Sequence, residues 1–192
     1  MPPEASVIVL TFNFDGKKLR NNLLALLKEA GNFEVILVDN NDRMDIARAI
    51  GDLPIRYIKT DQNLGAGLGR NIGANHARGD ILIFMDDDST PLDNFVASHL
   101  RIYRDSGIFG ARGKGIPRQR TIFNRFATHY DLGHSQKPST INVEFNCSFR
   151  RSIFIEAGGF WDLPVCPVCH EGIELCCRII QKYHSFEHLV YD

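Results

Sequence analysis

No stretch of the 192 residues is apolar for long enough to cross a bilayer, which takes about 20 consecutive residues as a helix. The opening residues, Met1 to Ser6, have neither the basic start nor the apolar middle of a secretory leader. A cytoplasmic location is therefore expected, and peripheral contact with a membrane is compatible with it. A surplus of either charge is also missing. Lys and Arg total 22 against 23 Asp and Glu, a formal net charge of −1, so no global basic excess exists to neutralise nucleic-acid phosphates. Cysteine is scarce and uneven: the five residues are an odd set crowded toward the C-terminus, unlike a secreted disulfide framework. Internal repeats and low-complexity tracts are absent. What remains is an ordinary soluble composition, 44% hydrophobic and 23% charged, long enough for one domain with a sizeable core.

Against that background one segment stands out. Ile81-Leu82-Ile83-Phe84-Met85 is a wholly apolar run that ends in Asp86-Asp87-Asp88. Such a run suits a strand buried on both faces, and its end delivers three carboxylates to the rim of a sheet. Adjacent negative charges repel one another, and partial burial raises their pKa values. A divalent cation relieves that conflict, and oxygen-only ligands point to Mg or Mn. The chain contains 15 Asp, so chance alone supplies a triplet in about one such chain in ten. A solvated acidic turn is the plain alternative, and context must decide.

The context is an alternation of strand-like and helix-like segments. Val7–Leu10, Phe33–Val38, Ile55–Ile58 and Ile81–Met85 read as strands. Between them, Lys17–Ala30 has helical spacing and stops at Gly31, Asp45–Ile50 reads as a short helix, and Leu68–Ala77 follows a Gly-rich loop. Thr90-Pro91-Leu92-Asp93 has the form of a capped helix start. The pattern predicts an α/β fold, with a mainly parallel sheet flanked by helices on both faces. Ligands of such sheets bind beyond the carboxyl ends of the strands. Three predicted strands end in polar groups there: Thr11-Phe12-Asn13, Asp39-Asn40-Asn41 and the Asp triplet.

The second half is less regular. Arg112–Lys137 carries six Lys or Arg and one acid, Asp131, which fits either a basic loop reaching over an anionic ligand or a solvated loop. Val143–Phe149 and Tyr183–Tyr191 read as strands, Gly158-Gly159-Phe160-Trp161 as a turn, and Ile173–Ile180 as an amphipathic helix. Cys166-Pro167-Val168-Cys169-His170 spells a haem-attachment motif, but a single copy without an export signal argues against haem. Cys166, Cys169, His170 and Cys176 are spaced unconventionally for zinc. Core packing accounts better for Cys176 and Cys177, read as sharing a helical face with Ile173 and Ile180. Gly65-Ala66-Gly67-Leu68-Gly69 lacks the dinucleotide fingerprint spacing and reads as close backbone approach at a helix start.

Taken in order, these pieces resemble the family 2 glycosyltransferases. The matching stretches are residues 7–13, Val35-Ile36-Leu37-Val38-Asp39-Asn40-Asn41, Asn63-Leu64-Gly65, Arg70-Asn71-Ile72-Gly73 and Ala77-Arg78-Gly79-Asp80. They continue with Phe84–Asp88, Asn146–Arg151, Gly158-Gly159-Phe160 and residues 171–178. The resemblance implies a GT-A-type, Rossmann-like fold with a smaller mixed region on the acceptor side. It divides the single domain into a nucleotide-sugar-binding half, residues 1–111, and an acceptor-side half, residues 112–192. It implies inverting transfer from a nucleotide sugar, a UDP-sugar being the expected donor, to a carbohydrate, lipid-linked or other hydroxyl acceptor, assisted by Mn or Mg. By position, Asp39 would contact the nucleobase, with Thr11 and Phe12 lining that pocket. Asp86 would meet the ribose or diphosphate, Asp88 the metal, and Arg70 the donor or the acid cluster.

Two departures bear on catalysis. Inverting transfer needs a general base, which the family takes from an acidic pair before a helix, with Asp in second place. Here that pair is Glu171-Gly172. Glu171 is the nearest replacement base, while Glu174 has Arg178 as an i,i+4 partner. The resemblance also implies a further segment after the closing strand, so the chain is expected to be a minimal enzyme or a fragment. A catalytically inactive nucleotide-sugar-binding protein is the alternative. A nucleotidyltransferase is a weaker one, because only one Gly follows the first strand.

Overall fold

The computed structural model describes residues 1–12, 15–41, 46–117, 130–142, 144–161 and 171–192. Within them the alternating first half forms β1 (Ala5–Thr11), α1 (Gly16–Leu27), β2 (Phe33–Asp39), α2 (Ile46–Ile50), β3 (Arg56–Lys59), α3 (Ala66–His76), β4 (Ile81–Asp86) and α4 (Phe95–Ile102). The second half adds β5 (Gly110–Arg112), β6 (Lys137–Pro138), β7 (Asn146–Arg150), α5 (Arg151–Glu156), α6 (Glu171–Tyr183) and β8 (Leu189–Tyr191). The strands make one sheet in the order β3-β2-β1-β4-β7-β5-β8-β6. β3, β2, β1 and β4 run parallel, whereas β7 lies antiparallel to both β4 and β5.

Alternation along the central strands divides the core into two layers. Val7, Val9, Val35, Leu37, Ile83 and Met85 face α1, α2 and α4 through Leu19, Leu23, Ile46 and Val96. Ile8, Leu10, Ile36, Val38, Leu82 and Phe84 face α3, α5 and α6 through Ala74, Phe154, Leu175 and Ile179. Burial on both sides explains why these strands read as unbroken apolar runs. α3 lies very close to β1. A β-carbon at Gly73 would come within 2.4 Å of Ile8 Cγ2, and one at Gly69 within 2.6 Å of Leu10 Cδ1. Close approach is thus the structural use of these helix glycines.

Several boundaries differ from the sequence reading. α1 ends at Leu27 instead of Ala30, because the amides of Lys28 and Glu29 bond back to Ala25 and Leu26 in a tightened last turn. Pro91 is not the first residue of α4. That helix starts at Phe95 after Asn94, whose φ of 64° is left-handed, and Asn94 makes no side-chain cap. Its cap comes from a distant residue: Glu29 accepts from the amides of Asn94 at 3.0 Å and Val96 at 3.4 Å. β7 begins at Asn146, with Glu144 and Phe145 in a turn, and Val143 lies outside the described residues. Tyr183 closes α6, which leaves only Leu189–Tyr191 as the last strand. Asp45 also lies outside the described residues. None of the described helices is long and apolar enough to cross a membrane.

Candidate functional site

Parallel pairing brings the predicted tips together. Thr11 lies opposite Asp39 and Leu10 opposite Asp86, so the ends of β2, β1 and β4 share one edge. Asn13 lies outside the described residues. A concavity of about 590 Å³ lined by Phe33, Ile55, Arg56 and Arg78 sits at the start of β2 and β3. It is far from these tips and lacks their converging carboxylates, so the strand-tip edge is the stronger site.

The three acids of the triplet have different surroundings. Asp86 is partly exposed and accepts a 2.7 Å ion pair from Arg70 Nη2. Arg70 is buried, and its Nε has no hydrogen-bond partner among the described residues. Burial opposes its charge, but Asp86 outweighs that cost and holds the guanidinium pKa above its ordinary value. Asp87 faces inward: its carboxylate accepts from the Thr11 hydroxyl at 2.5 Å and its carbonyl from Asn22 at 2.8 Å. Burial raises the Asp87 pKa, the Thr11 bond opposes this, and the charges of Asp88 and Asp86 add to the rise. Asp87 thereby ties β4 to β1 and α1. Asp88 is exposed at the edge.

The nucleobase candidates are more enclosed. Asp39 is fully buried, accepting from the Asn41 amide at 3.0 Å and the Tyr57 hydroxyl at 2.5 Å. Thr11 is buried with its hydroxyl engaged by Asp87, whereas Phe12 is about half exposed and its carbonyl accepts from Asn41. Asn40 holds the approach to α3. Its amide donates to Asn63 Oδ1 at 3.0 Å and Gly65 O at 2.9 Å, and its oxygen accepts from the Leu64 amide at 2.9 Å. Local sequence assigns Asn40 no such role, and the Asn40-Asn41 doublet at a strand end is its one visible signal.

A family model for glycosyl transferase family 2 matches residues 6–158, most of the chain. The chain belongs to glycosyl transferase family 2. The matched span contains Thr11, Asp39, Arg70 and the Asp triplet, while α6 lies beyond it. The uncharacterized glycosyltransferase YfnE of Bacillus subtilis (strain 168) is 33% identical over 175 residues, covering 83% of this chain and 42% of its own length. The succinoglycan biosynthesis protein ExoO of Rhizobium meliloti (strain 1021) is 32% identical over 91 residues, 46% of this chain and 26% of that protein. The chain therefore spans less than half of either curated relative.

Solved structures place the fold with GT-A glycosyltransferases. The mannosyltransferase PcManGT from Pyrobaculum calidifontis, solved with GDP-Man and Mn2+, superposes with a TM-score of 0.69 at 18% identity, covering 100% of this chain and 57% of that one. S. aureus TarS 1-349 gives 0.67 at 15% identity, covering 98% and 58%.

Glu171 opens α6 and is half-buried. Its Cγ lies 3.5 Å from where a β-carbon on Gly67 would stand. Glu174 pairs with Arg178 at 2.6 Å, as its spacing predicted. Cys176 is buried and accepts from the Ile141 amide at 3.2 Å, and burial pushes its thiol up to about 12. Its burial and that contact fit the core packing expected of it. Cys177 is exposed, so only one of the pair packs inward. The rest of the proposed zinc set and the haem-like motif lie outside the described residues. So do residues 118–129 of the basic stretch. Of its described cations, Arg112 is buried and lies 5.5 Å from the Tyr191 ring, and Lys114 pairs with Asp131 at 2.7 Å.

Proposed function

We propose that this chain carries the donor site of an inverting glycosyltransferase, moving a sugar from a nucleotide-sugar donor to an acceptor hydroxyl. The observation that carries the reading is the convergence of Asp39, Thr11, Phe12 and the Asp triplet on one sheet edge, with buried Arg70 locked onto Asp86. Residues 1–111 are the donor half and 112–192 the acceptor-side half. Asp39, with Thr11 and Phe12 beside it, recognises the base, and a bound base shares the carboxylate with Tyr57 or displaces it. Arg70 fixes the orientation of Asp86 toward the ribose and diphosphate.

The donor set fits a hard cation. Its side-chain ligands are oxygens, and no cluster of three or more His, Cys, Asp or Glu is placed to hold a metal among the described residues. Mn or Mg bound by one or two carboxylates completes its shell with substrate phosphates. Asp88, exposed at the edge, would hold it with Asp86 beside it. Such a cation, when bound, neutralises charge on the departing diphosphate. The bound GDP-Man and Mn2+ of PcManGT support the donor class and the metal in this shared fold. The choice of a UDP-sugar rests on the sequence resemblance, and the acceptor is a carbohydrate, lipid-linked or other hydroxyl.

Calorimetric titration with UDP and GDP, each with and without Mn2+, tests this reading. Binding of one nucleotide is expected to tighten about tenfold or more with Mn2+, a difference of about 1.4 kcal/mol. Asp88→Ala is expected to remove that dependence. Equal, metal-independent binding by both proteins would overturn the role of Asp88, and no binding at all would overturn the donor site.

A further inference from the structure

The base expected at position 172 is absent, and the structure shows that residue 172 has no room for a side chain. A β-carbon there would lie 2.4 Å from the Ile141 carbonyl oxygen and 2.8 Å from Glu144 Oε1. The backbone clash excludes a side chain, and the second atom in the way is itself a carboxylate oxygen. Glu144 accepts the Gly172 amide at 3.0 Å through Oε1, and the remaining oxygen, Oε2, is hydrogen-bonded to no described residue. The side chain is half-buried, and Oε2 is not among the sealed polar atoms left unsatisfied. One oxygen is thus fixed by protein, and the other is open.

Its placement fits the chemistry. β7 runs antiparallel to β4 with Asn146 opposite Met85, so the turn holding Glu144 meets the sheet at the edge where Asp86 leaves it. The charge of Glu144 is felt by Arg70, the same guanidinium that pairs with Asp86. Glu144 therefore stands between the donor-side carboxylates and the start of α6.

Resting on the proposed transfer, we infer that Glu144 is the general base. As the acceptor oxygen attacks the anomeric carbon, Glu144 Oε2 takes its proton. The new carbon–oxygen bond forms while the bond from that carbon to the diphosphate breaks, and the electron pair leaves with the nucleoside diphosphate. The base thus stands on the turn before β7 instead of at the start of α6, and Gly172 both leaves it space and orients it. Helix capping is the competing account, since the first-turn amide of α6 needs a partner. Glu144→Gln separates the two, because its amide oxygen still accepts from Gly172 but cannot take a proton.

The test uses wild type, Glu144→Gln and Glu171→Gln with Mn2+ and UDP-glucose or GDP-mannose, measuring nucleoside diphosphate release with water as acceptor. Nucleotide affinity measured alongside shows that each variant is folded. Glu144→Gln is expected to keep wild-type nucleotide affinity, lose about 10²–10⁴-fold in kcat, and lose the acidic limb of the kcat/KM pH profile. Glu144→Asp is expected to restore part of the rate. Wild-type turnover by Glu144→Gln overturns the inference, and a large loss confined to Glu171→Gln returns the role to Glu171. Wild-type binding without donor turnover also overturns it while leaving the donor site standing. Failure of the wild type to bind either nucleotide is failure of the underlying reading instead.

Discussion

The two sides of β4 are held together by different means. On one side, β3, β2, β1 and β4 are parallel strands whose side chains alternate between two apolar layers. On the other, β7, β5, β8 and β6 are short and of mixed direction, and buried polar groups link them to the rest. The Tyr103 hydroxyl donates to Ser148, Ser148 to His99 Nδ1, and His99 Nε2–H to Asn146 Oδ1. Asn146 then donates to the Lys114 carbonyl. This order of donors requires a neutral imidazole, and burial lowers the His99 pKa to about 4. The regular side sets where strand tips fall, while the irregular side depends on individual contacts. That division matters for the proposed function, because the carboxylates assigned to the donor there ride on the first side and Glu144 on the second.

Phe84 is the seam between the sides, and removing it should have the largest effect on stability. Its ring packs on Phe154 at 5.3 Å and Phe160 at 5.2 Å between centroids, and is edge-on to Phe149 at 6.4 Å. Phe84→Ala is expected to cost about 3–5 kcal/mol, measured by urea unfolding. Two separate transitions in that variant would show that the halves fold independently once uncoupled. A loss under about 1 kcal/mol would break the picture of a shared seam.

The irregular side should be the acid-sensitive one. Unfolding returns His99 to an ordinary value of 6.5 from about 4, so between those values the unfolded chain binds the extra proton. Stability should therefore fall as pH drops from 6.5 toward 4, by about 3 kcal/mol in all at about 1.4 kcal/mol per pH unit. His99→Gln should flatten that part of the slope in denaturation curves at pH 7 and pH 5. An unchanged slope would remove His99 from the account.

The smallest effect is expected at the start of α4, the helix that joins the two sides, where Glu29 supplies the cap from α1's C-terminal turn. Glu29→Ala should cost about 1 kcal/mol and speed hydrogen exchange at the amides of Asn94 and Val96, with little change at β7. Loss of protection spreading into β7 would show that the cap is felt through His99, the α4 residue bonded to Ser148 and Asn146.

The ease of reading the sequence followed the same division. Strands buried on both faces carry long apolar runs, so β1, β2 and β4 and their polar tips were visible residue by residue. Thr90-Pro91 signals an earlier start for α4 because it has the form of a local cap, whereas the real cap is Glu29, 65 residues away along the chain from Asn94. Asp87 had no assigned partner because its contact, Thr11, is reached only across paired strands. Cys177 is exposed beside buried Cys176 because adjacent residues on a helix of 3.6 residues per turn face about 100° apart.

The alternating order, the parallel half of the sheet and the rim to which Asp39 and Asp86–Asp88 come are legible in local sequence. Those follow from local periodicity and from the rule that parallel strands align their ends. The tertiary structure alone decided which carboxylate stands before Gly172. A gap of 28 residues separates Glu144 from that amide, and no local pattern encodes a contact between a turn and a helix start. A missing acid in one segment and an available one in another become a single feature only when the chain folds.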